Sequence, residues 1–136
     1  MTWQSIAGGA NGIVYYAFHH LSEPHEDPND AFESAWARTK AAAEEVKKYE
    51  QVLLSAGRPV TVSGATELVA VRTWRHENDT YMLVVNCTTN AQTATLTLSE
   101  DAGRLVSSDF GPAPRIAGKT VEVSLEPIGY RMVRLK

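Results

Sequence analysis

The sequence predicts an α+β chain: an antiparallel β-sandwich of about seven strands, preceded by a long helix and a residual strand. Three observations carry this expectation. From Pro59 to the C-terminus, Val, Thr and Leu alternate with polar residues at period two, the pattern of strands with one buried face. Before that, apolar residues from Ala31 to Ala56 recur at spacings of three and four, the pattern of one helix face. Earlier still, Gly12 to Phe18 is apolar without alternation, which suits a strand covered on both faces. The texture changes at Gly57, so the division expected is 1–57 and 58–136.

Residues 2–9, TWQSIAGG, read as the end of a helix. Trp3 and Ile6 share a face, and Gly8-Gly9 is a stop. After the apolar run comes a polar loop, His19 to Asn29. Asp30 then serves as an N-cap with Glu33 three residues on, a capping-box spacing. The expected apolar face is Phe32, Ala35, Thr39, Ala42, Val46, Tyr49 and Leu53, widened by Trp36, Ala43 and Val52. Gly57 is expected to stop this helix, and Pro59 prevents its continuation.

The expected strands are Val60–Val62, Glu67–Trp74, Thr80–Cys87, Thr93–Leu98, Leu105–Ser108, Thr120–Leu125 and Tyr130–Leu135. Turn residues separate them: Ser63-Gly64, His76 to Asp79, Thr88 to Asn90, Asp101 to Gly103, Gly111-Pro112 and Pro127 to Gly129. Short strands at this spacing argue for an antiparallel sandwich. There is no internal repeat and no low-complexity segment.

Composition bounds the function. The 136 residues carry net charge −3 with no basic face, which speaks against a nucleic-acid partner. The first 57 residues hold eight acids against four bases, and the rest eight against nine. No apolar run reaches the roughly 18–20 residues of a membrane helix, so no membrane partner is expected. The start, MTWQSIAGGANG, lacks the basic region of a signal peptide. Cys87 is the only cysteine, so no intrachain disulfide forms.

Candidate chemistry is sparse. His19, His20 and His25 stand among Glu23, Glu26 and Asp27, a set rich in ligand atoms. A zinc site needs three or four ligands converging at about 2 Å. Strand neighbours point to opposite faces, so His19 and His20 do not share one ion, and the cluster reads as a polar loop. No metal and no cofactor is expected. Glu23 and Glu26 are a carboxylate pair, but on a loop with nothing apolar to raise a pKa, so no catalytic residue is assigned. No motif ties a histidine to Cys87, which reads as a small core residue. Trp74, Tyr81, Phe110 and Tyr130 are read first as sandwich core, with a carbohydrate-stacking surface as the alternative.

The order of elements resembles the last quarter of a glycoside hydrolase with a (β/α)8 barrel and a C-terminal β-sandwich. Gly8 to Phe18, GGANGIVYYAF, is similar to the approach to the eighth barrel strand and the strand itself. Residues 31–56, with VKKYEQVLL, are similar to the eighth barrel helix. Tyr81 to Asn86, YMLVVN, resembles a family strand ending in Asn, and Leu125 to Leu135, LEPIGYRMVRL, resembles the family's Pro-x-Gly turn into its last strand.

The resemblance implies that 1–57 is a residual last β/α unit and 58–136 the C-terminal sandwich domain. It implies a non-catalytic region that buttresses a barrel. The catalytic carboxylates of such enzymes come from earlier strands, so no activity is expected from this chain alone. Phe18, His19 and His20 fall at the strand end that faces the sugar, and would contact carbohydrate in the whole enzyme. Two other functions stay open: an independent carbohydrate-binding module, and one subunit of a split glycosidase. The partner expected is a barrel domain or, for the apolar edge at 12–18, a second copy of the chain.

Overall fold

The computed structural model describes residues 2–14 and 32–136. Alternating segments form eight strands in two antiparallel sheets of four. They are β1 (Val62–Ser63), β2 (Val69–His76), β3 (Asp79–Asn86), β4 (Gln92–Leu98), β5 (Leu105–Asp109), β6 (Arg115–Ala117), β7 (Thr120–Leu125) and β8 (Tyr130–Leu135). One sheet has the order β2-β3-β8-β5 and the other β1-β4-β7-β6. The chain is an α+β sandwich, as its patterning predicts. The strand missed by sequence is β6, which directly follows Gly111-Pro112-Ala113-Pro114 and at three residues is too short to show an alternation.

Apolar side chains from the facing sheets make the core. Met82, Val84, Val133 and Leu135 meet Leu96, Leu98, Val121, Val123 and Leu125, with Val60 and Ala102 closing the margins. β4 and β7 alternate buried and open positions, so their outer face is wet. β3 does not alternate: Leu83 and Val85 are as buried as Met82 and Val84. The β2-β3-β8-β5 sheet is therefore covered on both faces. Each such side chain gains about 1.5–3 kcal/mol on leaving water.

Part of that outer cover is α1 (Thr2–Ala7). Trp3 and Ile6, three residues apart, are its buried residues, and the helix lies against β2 and β3. Its end is closed by Gly8 N–H to Gln4 O at 2.9 Å and Ala10 N–H to Ser5 O at 3.0 Å. The helix end expected at 2–9 is thus present.

By compactness the chain forms two units: Met1–Asn11 with Gln51–Lys136, and Gly12–Glu50. The composition change at Gly57 marks the start of the strand-rich stretch. The smaller unit contains α2 (Phe32–Lys48), with Glu33 in its first turn and Lys47 and Lys48 in its last, matching the helix dipole. The single helix expected over 31–56 is divided. Tyr49 N–H bonds Val46 O, a tighter i→i−3 turn, before α3 (Glu50–Leu53). The widened apolar face is also narrower than expected, since Trp36 and Ala43 are exposed. Of the residual strand, Gly12 to Val14 is irregular with Val14 exposed, and 15–18 lies outside the described residues.

Gly57 does not stop the helix. α3 ends earlier, where the Ser55 hydroxyl donates to Val52 O at 2.7 Å. Gly57 instead bridges Arg75 on the open edge of β2, and a Cβ there would strike the Arg75 carbonyl. From Gly57 the chain passes along that edge, where the Thr73 hydroxyl donates to Val60 O at 2.6 Å, and joins the other sheet at Val62. Pro59 in this passage keeps the β2 edge from recruiting another strand.

Candidate functional site

A polar cluster on the larger unit, beside an open cleft, is built around Arg72. β2 alternates, so Arg72 and Trp74 project from the same face, the one that carries α1. Arg72 Nη1 donates to Ile6 O and to Ala10 O, each at 2.9 Å, and Nη2 donates to Asn11 Oδ1 at 2.9 Å. A cation thus caps the carbonyls at the end of α1, where the helix dipole is negative. The guanidinium lies over the Trp74 ring, 5.0 Å from its centroid. Beside it opens a cleft of about 440 Å³, whose walls include Asn11, Leu54, Ser55, Arg72, Thr73 and Trp74.

At the far side of α1, Trp3 packs on Phe110 and Tyr130, with ring centroids 5.8 and 5.5 Å apart, and Phe110 lies 4.9 Å from Tyr130. Phe110 and Tyr130 were expected in the sandwich core. They lie instead on the outer face: Phe110 adopts φ 70 beyond the end of β5, and Tyr130 alternates with the core residues Val133 and Leu135 of β8. Beneath them Arg131, 3% exposed, donates to Phe110 O and to Tyr130 O. Gly111 presses on the Arg131 guanidinium at φ 145, where a Cβ would overlap it.

At the β2–β3 hairpin, the buried Asp79 carboxylate accepts from Arg134 Nε at 2.5 Å and from its Nη2. Arg134 also covers Tyr81, at 5.5 Å from its ring centroid. The bond to Asp79 holds the Arg134 guanidinium above its ordinary pKa. Burial pushes the Tyr81 hydroxyl up, opposed by Arg134 and assisted by Asp79 and Glu77. These charges are engaged with each other, so this cluster is a brace for the hairpin.

Phe18, His19 and His20, the residues singled out for sugar contact, lie outside the described residues, as do His25, Glu23, Glu26 and Asp27. Trp74, 4% exposed, and the half-buried Tyr81, also expected in the sandwich core, are paired across β2 and β3 on the outer face instead, opposite in alternation to the core residues Met82 and Val84. Cys87 is a correction: it is exposed, not core, because β3 ends at Asn86 and the next side chain leaves the sandwich. Among the described residues no group of three His, Cys, Asp or Glu side chains could hold a metal. No described helix is long and apolar enough to cross a membrane. The Arg72 site was missed by sequence reasoning. Its signal was one arginine inside the apolar stretch Val69 to Trp74, on a face the flanking Ala70 and Trp74 mark as covered. Compared with known proteins, the chain matches no family model and no curated protein.

Proposed function

We propose that the chain is the non-catalytic C-terminal region of a (β/α)8-barrel glycoside hydrolase, and that it works as a buttress. The observation that carries this reading is the docking of α1. In the resemblance, residues 8–18 are the approach to the last barrel strand and that strand. Here the residues immediately ahead of it are held on the sandwich by three hydrogen bonds from Arg72. A barrel attached at that point would be anchored through a helix that packs on an apolar sheet face rather than through a free linker. The family-like strand ending in Asn86 and the Pro-x-Gly turn also act together, since the Asn86 amide donates to Glu126 O.

The reading as a carbohydrate-binding module has less support. Such modules offer open aromatic platforms, whereas Trp74 is covered by Arg72, and Tyr130 packs against Trp3 and Phe110. The test is the coding sequence immediately upstream of Met1. In-frame β/α units with carboxylates at the ends of two strands are expected. A stop codon, or an unrelated domain joined directly at Met1, overturns the proposal.

A further inference from the structure

The cleft beside Arg72 carries a charge that no carboxylate among the described residues offsets. Arg72 donates to no carboxylate among the described residues; its three acceptors are two backbone carbonyls and one side-chain amide oxygen. A guanidinium has five N–H donors in a fixed fork. Three are used here, which leaves Nε–H and one Nη2 proton to offer to a carboxylate. The stacking on Trp74 and the bonds to α1 fix the plane of the guanidinium, so little order remains to be imposed on binding. Ser55 Oγ and the Asn11 amide stand in the same walls, and Leu54, 65% exposed, supplies an open apolar lip. At about 440 Å³ the cleft lies at the small end of ligand sites, roughly 300–1,000 Å³.

We propose that this cleft binds a small carboxylate-bearing ligand of about monosaccharide size, with the Arg72 guanidinium as its anion receptor. The proposal does not depend on the presence of a barrel. Titration of the intact, isotope-labelled chain tests it by following the Arg72 Nε–H and Trp74 indole signals. The probes are glucuronate, N-acetylalanine and neutral glucose. Saturable shifts are expected with a carboxylate, and glucose should bind at least about tenfold more weakly. A response to glucuronate alone makes this a sugar-acid site, and one to N-acetylalanine alone a peptide-terminus site; either supports the proposal. Leu54→Trp fills the lip without touching any Arg72 hydrogen bond, and should weaken carboxylate binding about tenfold. The proposal is overturned by no saturable shift with either acid up to about 50 mM, by equal shifts with glucose, or by unaltered binding in Leu54→Trp.

Discussion

Asn86, fully buried at the end of β3, donates its side-chain amide to the Glu126 carbonyl, forty positions further along, at 2.8 Å. The same amide donates to Asn90 O at 2.7 Å, and its oxygen accepts from the Thr88 N–H and hydroxyl, each at 2.9 Å. Asn86 N–H also reaches Gly129 O at 2.8 Å. One side chain thereby joins the β3–β4 turn to the β7–β8 turn.

Asn86→Ala should therefore be among the costliest single substitutions. It removes the partner of the Asn90 and Glu126 carbonyls and of the Thr88 N–H and hydroxyl, and opens a small void, for a loss of about 2–4 kcal/mol. Urea unfolding measures it, and a loss within about 0.5 kcal/mol would show that water replaces the amide at no cost.

Gly111 and Arg131 form a second pair that cannot be altered singly. Gly111→Ala both strains a positive φ and drives a methyl into the guanidinium, for about 2–4 kcal/mol. In an Arg131→Met background the flexible side chain can yield, so the same change should cost less. Equal costs in the two backgrounds would mean that backbone strain alone is responsible. A double-mutant cycle on thermal unfolding separates the two.

Tyr81 gives the fold an alkaline limit. Its folded pKa is raised above the ordinary tyrosine value of about 10, chiefly by burial, so the neutral phenol is the form the fold favours. That contribution is complete below about pH 10 and is lost as pH rises through the folded pKa. Absorbance at 295 nm should show one tyrosine titrating late, and Tyr81→Phe should flatten stability above pH 10. A late titration that persists in Tyr81→Phe would assign it to another tyrosine.

The chain alone should not cleave glycosides, since the reading places the two carboxylates on other strands. Aryl glycosides report this directly. Turnover that disappears in Glu23→Gln or Glu26→Gln would place catalysis in the His19–Asn29 loop instead.

Much of this architecture is legible in sequence, and the limits have physical causes. The bounds of β7 and β8 are read correctly because alternation and flanking turns agree. β6 escapes because three residues hold too little pattern. The run Met82 to Val85 is as continuous as Gly12 to Phe18, and it signals a sheet covered on both faces; only the helix pattern of Trp3 and Ile6 could have named the cover. The Arg72 site escapes because its partners lie 61 to 66 positions away, where no local pattern reaches. The position of Cys87 escapes because β3 ends one residue earlier than the pattern suggests, at Asn86, and the side chain beyond it is no longer held in the sheet.

The central claim is that the segment ahead of Gly12 belongs to the sandwich. Native-state hydrogen exchange on the Gly8, Gly9 and Ala10 amides tests it most directly. These amides bond Gln4 O, Ile6 O and Ser5 O, and they are held only while α1 stays docked. The expected result is protection comparable to β3 amides in the wild-type chain, falling about tenfold or more in Arg72→Met while β3 protection persists. Exchange at the rate of an unfolded chain in the wild type, or protection unchanged in Arg72→Met, would contradict the account.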